Sequence, residues 1–160
     1  MDFDLTEEQV QLRDAARKLA QHEFRDKAAR WDRDETFPEE NKHRLAELGY
    51  LGLSVDREFG GSGAGLVSTY LVIEELAKVD LLTAMIVHDQ NVSPRIIANH
   101  GPDELKRRLV PRFVTGELEC SIAWTEPQAG SDGTAIRTAA VRDGDEVLIN
   151  GSKIFTTFGD

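Results

Sequence analysis

Apolar residues in the first two thirds of the chain recur at helical intervals. Val10, Leu12, Ala15, Ala16, Leu19, Ala20 and Phe24 recur at helical spacing, with polar residues on the other face. Thr6-Glu7-Glu8-Gln9 fits a capping box, in which a hydroxyl and a carboxamide satisfy amides left unpaired where a helix begins. The spacing predicts a first helix to about residue 30. A second opens near Pro38, where a missing N–H costs nothing, and stops at Gly49, which suits a left-handed end. Leu45 and Leu48 give it an apolar edge. Residues 66 to about 79 form another helix, with Tyr70, Ile73, Leu76 and Ala77 on one face. Residues 82–99 are apolar on several sides, which predicts a helix buried between neighbours. Residues 103–114 make a last amphipathic helix, in which Pro111 predicts a kink or an early stop.

Beyond Gly116 the period changes. Residues 120–125 read as a strand, and 134–142 carry alternation and β-branched side chains. Asp143-Gly144-Asp145 marks a turn, 146–149 a second short strand, Asn150-Gly151 a hairpin signal, and 153–158 the start of a third. The expected fold class is α+β: an all-α helical domain over residues 1–115, then the opening strands of an incomplete β-barrel-like domain over 116–160. So few strands make a poor independent fold, and the last is cut at Asp160. A length of 160 residues first suggests one ordinary domain. This pattern instead suggests one domain and part of another.

Between the second and third helices lies Phe59-Gly60-Gly61-Ser62-Gly63-Ala64-Gly65. A dinucleotide fingerprint needs glycines at offsets zero, two and five; from Gly61 the third position is Leu66 and from Gly63 it is Ser68, so it fails. The stretch reads as a connection, or as a mobile or ligand-adjacent loop.

The formal net charge of −10 argues against nucleic acid or an anionic membrane surface as partner, since both reward a basic face. It leaves room for one phosphorylated ligand held locally by amides. A single cysteine, Cys120, allows neither an intrachain disulfide nor a cysteine-based zinc cluster. The chain opens without a secretory pattern and has no apolar run long enough to span a membrane, so a soluble cytoplasmic protein is expected.

Catalytic candidates are sparse. His22, His43, His88 and His100 lie on separate segments without metal-type spacing. Glu39-Glu40 and Glu74-Glu75 are adjacent and point to different helix faces. Neither Gly61-Ser62-Gly63 nor Gly130-Ser131-Asp132 supplies a nucleophile elbow, and Cys120 reads as a buried strand residue. The sharp signal is Trp124-Thr125-Glu126-Pro127-Gln128-Ala129-Gly130-Ser131-Asp132. A strand end followed by Pro, Gly and hydroxyl side chains offers amides and short donors to the edge of a planar ring or to a phosphate. An elaborate turn would carry the same residues.

Thr125-Glu126-Pro127-x-Ala129-Gly130-Ser131-Asp132 resembles the signature of acyl-CoA dehydrogenases. Gly144-Asp145 and Asn150-Gly151-x-Lys153-Ile154-Phe155-Thr156-Thr157 follow at the family's distance. Upstream, Leu48-Gly49-Tyr50-Leu51-Gly52-Leu53 and Glu58-Phe59-Gly60-Gly61 also match, so the resemblance spans essentially the whole chain. It implies an N-terminal α-domain, a central β-domain and a C-terminal helical bundle around FAD and an acyl-CoA thioester. By position, Ile122, Ala123, Trp124 and Thr125 would run along the flavin, with Thr125 donating to its pyrimidine edge. Ser131 would sit by the CoA and FAD phosphates, as both a cofactor and a substrate contact. Phe155 stands where many members have Trp against the flavin; Thr156 adjoins it, and Thr157 would bond near N5. Phe keeps an aromatic wall and loses the indole N–H. Thr156-Thr157-Phe158-Gly159 also departs from the usual Ile-Thr-Asn-Gly.

The implied activity is α,β-dehydrogenation in fatty acid metabolism, with a hydride passing to flavin N5 and electrons leaving through an electron-transfer flavoprotein. The family's base lies in the C-terminal bundle, as does the segment that completes the FAD site across a dimer interface. The resemblance therefore implies no catalytic residue and no metal ligand here, inactivity of these residues alone, and a C-terminal portion or half-subunit as partner. A homo-oligomer, expected as a homotetramer, would be the complete form. A non-catalytic interaction module and a flavin oxidase or monooxygenase on the same fold stay open beside it.

Overall fold

A computed structural model describes residues 4–159. The backbone divides after Cys120 into a helical unit and, from Ser121, a second unit that carries the β structure.

The capping box forms as the sequence predicts: Gln9 N donates to Thr6 Oγ1 at 3.2 Å and Thr6 N to Gln9 Oε1 at 3.0 Å. The first helix runs past residue 30. It comprises α1 (Glu7–Leu19), a π-helical turn (Ala20–Phe24) and α2 (Arg25–Asp34), ending where Glu35 turns left-handed at φ 49°. The wider turn keeps Ala16, Leu19, Ala20 and Phe24 all buried. Helix α3 (Glu39–Glu47) ends at Leu48 and a left-handed Gly49. Helices α4 (Gly65–Ala77), α5 (Leu81–His100) and α6 (Asp103–Val114) complete the unit. Pro111 lies inside α6 without ending it, and Pro94 lies inside α5 in the same way. Helix α5 is buried as expected, but its covered positions include Asp89, Gln90 and Asn91. It packs against α4 and α6, and α4 packs against α1.

Polar pairs fix the helices in register. Asp80 caps α5 by accepting from Leu82 N at 3.1 Å and from the Thr83 hydroxyl, which in turn accepts from Asn41 Nδ2 of α3 at 2.8 Å. Arg17 of α1 grips Glu75 of α4 through two bonds of 2.8 and 3.0 Å, and Lys78 adds a third at 2.9 Å. The Arg17 guanidinium, with help from Lys78, holds the Glu75 carboxyl down at about 2 although burial opposes ionisation. Its ordinary value is 4.5. The pairing thus contributes stability that is complete above about pH 5 and fades as pH falls toward 2. Thermal melts of Glu75→Gln against the native chain should show a gap that is full at neutral pH and closes across that window. A gap of constant size from neutral pH to pH 2 would contradict the pairing.

The glycine stretch is pinned. Ser62 N, Gly63 N and Ala64 N donate to the carbonyls of Gly52, Val55 and Leu53 at 2.9, 2.9 and 2.8 Å. Ser62 Oγ also donates to Leu53 O at 3.0 Å. Beneath it Val55, Phe59, Val110 and Val114 form one apolar cluster with Ile97 and Ala98.

In the second unit β1 (Ala139–Asp143) and β2 (Glu146–Asn150) pair antiparallel, Ala139 opposite Asn150 and Asp143 opposite Glu146. Gly144 and Asp145 form the turn between them, as expected. Three sequence expectations fail. Residues 120–125 and 153–158 form no strand, and Asn150-Gly151 closes no second hairpin. Gly151 serves a close approach instead: a Cβ there would lie 2.0 Å from Thr138 Oγ1. The strands of the hairpin are exposed along their whole length, so hydrophobic alternation in this region does not mark a buried face. The chain is thus mostly helical, with two antiparallel strands towards its C-terminal end. Among the described residues no helix is long and apolar enough to cross a membrane.

Candidate functional site

In the helical unit Cys120 is half-buried, its thiol within 3.5 Å of Asp89 O and 3.4 Å of Gln90 Oε1. Burial pushes that thiol up to about 11, so at neutral pH it is protonated and a poor nucleophile. His88 Nδ1 lies 2.8 Å from Asp89 Oδ1, a pair within one helix. Among the described residues no three His, Cys, Asp or Glu side chains are grouped to hold a metal ion.

The second unit is organised around Glu126, which is 3 % exposed. Its Oε2 accepts from Arg137 N at 2.8 Å and from Gln128 Nε2 at 2.5 Å. Its Oε1 accepts from Thr138 N at 2.9 Å, from the Thr138 hydroxyl, and from Lys153 Nζ at 2.9 Å. The Thr138 hydroxyl, the Arg137 amide and the Lys153 ammonium hold this carboxyl far below the usual carboxylate range. It is therefore ionised and fully engaged. The loop closes on itself through Glu126 N to Ala129 O at 2.9 Å and Ala129 N to Glu126 O at 3.1 Å. Asp132 then caps a short turn (Gly133–Ala135), accepting from Thr134 N at 3.0 Å; the Thr134 hydroxyl and amide lower its carboxyl as well. Part of the expected donor cradle is thus spent within the loop.

The two segments singled out by the sequence meet. Ile154 N donates to Thr125 O at 2.9 Å, and Lys153 Nζ to Trp124 O at 3.0 Å. Immediately afterwards Phe155 adopts φ 58°, a left-handed conformation unusual for an aromatic residue, and its ring is 86 % exposed. Trp124 is 58 % exposed and borders Gly133. Ile122, Thr125 and Thr156 are half-buried, whereas Ala123, Ser131 and Thr157 are exposed. Ser131 lies on the bend before Asp132, and none of the bonds joining 124–126 to 153–154 involves it. Among the described residues the hydroxyls of Thr125, Ser131, Thr156 and Thr157 have no hydrogen-bond partner. Two uncovered aromatic rings on segments that meet, with unbonded hydroxyls on the same segments, suit a flat ligand with a polar edge, which is the chemistry of a flavin ring.

Glu126 and Lys153 lie inside the two motifs, where the sequence alone marks neither as functional. The signal they carry is an acid directly before Pro127 and a lysine two residues after Gly151.

Residues 6–117 match the family model for the acyl-CoA dehydrogenase N-terminal domain. The chain is 37% identical to an acryloyl-CoA reductase (NADH) of Anaerotignum propionicum, over 99% of this chain and 41% of that protein. It is 38% identical to a short-chain-specific acyl-CoA dehydrogenase of Clostridium acetobutylicum, over 99% and 42%. A glutaryl-CoA dehydrogenase from Mycobacterium smegmatis solved with FADH2 superposes with a TM-score of 0.88 at 27% identity, over 95% of this chain and 39% of that one. The chain thus spans about two fifths of the length of the relatives it matches.

Proposed function

This chain belongs to the acyl-CoA dehydrogenase family, and on that premise we propose that it forms the N-terminal portion of an FAD-dependent enzyme that dehydrogenates an acyl-CoA thioester between its α and β carbons. The observation that carries the reading is the bond from Ile154 N to Thr125 O. It joins two segments, 29 residues apart, that the family resemblance independently assigns to one flavin. In this proposal Trp124 and Phe155 cover the ring, Ile122 and Ala123 run beside it, and the Thr125 hydroxyl donates to its pyrimidine edge. Thr156 and Thr157 lie toward N5, and Ser131 takes the phosphate and CoA side. FAD supplies the acceptor of the β-hydride. Glu126 is not the base that removes the α-proton, because every bond it makes favours a buried, ionised carboxylate. No other carboxylate of the second unit is assigned that task. Transfer of electrons to an electron-transfer flavoprotein, a homotetrameric assembly and a cytoplasmic setting belong to the same proposal.

The acryloyl-CoA reductase relative favours a second reading, in which the same constellation runs toward the saturated thioester. One experiment separates the possibilities. The chain is mixed with the C-terminal half of its Clostridium acetobutylicum relative and FAD, then gel-filtered. Protein-bound flavin is the expected result, with bleaching by a short acyl-CoA under argon. Reoxidation of reduced flavin by an enoyl-CoA, without that bleaching, supports the reductase direction. A mixture that retains no flavin overturns both.

A further inference from the structure

We propose that Glu126 and Lys153 are positioning residues that set the two aromatic rings of the flavin-side segments through one buried clasp. The proposal rests on the flavin reading above. Three stretches of backbone converge on the Glu126 carboxylate: the loop itself through Gln128, the entry to β1 through Arg137 and Thr138, and the segment after β2 through Lys153. Lys153 performs two tasks with one ammonium, at 2.9 Å from Glu126 Oε1 and 3.0 Å from Trp124 O. Such charge-assisted bonds are stronger than neutral ones, and here the acid is almost wholly covered. The adjoining bond from Ile154 N to Thr125 O extends the clasp by one residue. The chain then departs through a left-handed Phe155. A bulky residue holds that conformation only where its surroundings over-determine it. The exposed Phe155 ring makes no packing that would do so; the restraint lies in the clasp just before it. The same lysine fixes the carbonyl of Trp124, so both rings depend on one side chain.

A purely structural glutamate would serve the hairpin alone, whereas the clasp makes separable demands. Lys153→Met removes the link to residues 124 and 126 while leaving the bonds from Arg137 and Thr138 to Glu126 in place. The test uses the 160-residue chain, with Trp31→Phe so that Trp124 is the one tryptophan present. Two readouts apply: amide exchange at Ile154 without flavin, and FAD affinity from quenching of Trp124 emission. Lys153→Met is expected to speed exchange at Ile154 and weaken FAD binding by about tenfold or more each, since both bonds of the ammonium are lost. Amide shifts of β1 and β2 should stay put. Lys153→Arg should restore both readouts to within about threefold, because the cation and its reach are kept. Glu126→Gln should match Lys153→Met; if it disperses the hairpin shifts instead, the lysine pair decides. Native exchange and native affinity in Lys153→Met overturn the proposal. If the parent chain alone takes no FAD, because the rest of the site lies on the C-terminal portion, exchange at Ile154 by itself accepts or rejects the clasp, and the flavin reading stands or falls with the mixing experiment above.

Discussion

Replacing Gly61 by alanine is expected to destabilise the helical unit by about 3 kcal/mol or more, at the upper end of overpacking costs. A Cβ on Gly61 would stand 2.1 Å from Val55 O, 2.5 Å from Val55 C and 2.7 Å from Val55 Cβ. Two of these atoms are backbone, so no rotamer change relieves the clash. Moving the loop away breaks the bonds that seat Ser62, Gly63 and Ala64 on residues 52–55. It also lifts that segment off the cluster built from Val55, Phe59, Val110 and Val114. Chemical denaturation followed by far-ultraviolet circular dichroism measures the loss. Ser62→Ala is the control: it removes only the 3.0 Å bond to Leu53 O and should cost about 1 kcal/mol. Equal effects from the two substitutions would mean that the close approach at Gly61 is not the constraint.

That expectation could not have been drawn from the glycines as a sequence pattern. Four glycines in six residues read equally well as a flexible connection or a ligand loop. What decides is the partner, Val55 O, supplied by a turn whose position depends on the packing of α6. The helices were legible because their signals are local: Thr6 and Gln9 cap α1, Gly49 ends α3, and apolar spacing marks the rest. Pro111 does not stop α6, whose neighbouring Val110, Phe113 and Val114 are buried and hold the last turn in place. The β region departs further. Residues 120–125 and 153–158 have strand-like composition, yet they are joined by one backbone bond, Ile154 N to Thr125 O, and by side chains.

The site shows the same division. The motif residues were found by resemblance, and the structure brings residues 124–126 and 153–154 side by side. The carboxylate that joins them was not found. A buried acid is legible only through its partners, and those of Glu126 come from positions 128, 137, 138 and 153. Two of the five partner groups are backbone amides, which carry no residue-type signal at all.

Asn91→Ala is expected to cost about 4 kcal/mol, comparable to the Gly61 substitution and by a different mechanism. Asn91 is 1% exposed and sits in the middle of α5. Its Nδ2 donates to Tyr50 O at 2.9 Å and Val87 O at 2.8 Å, and its Oδ1 accepts from Ser54 N at 2.9 Å. Alanine leaves the Ser54 amide and the Tyr50 carbonyl covered without these partners, at roughly 1–3 kcal/mol each. Both belong to the segment that also anchors the glycine loop, so the loss spreads from the helix to residues 50–64. Asn91→Asp separates donor from acceptor. It keeps an oxygen for Ser54 N but loses both donors, and at neutral pH it sets an anion against two carbonyls. Aspartate here should therefore destabilise at least as much as alanine at pH 7. It should recover part of the loss in acid, where the protonated carboxyl regains one donor. Urea titrations of both variants at pH 7 and pH 4 decide it. A neutral-pH aspartate variant as stable as the native chain would show that the amide's bonds to Tyr50 and Val87 contribute nothing. A deficit that shrinks on acidification would locate the stabilisation in those donors.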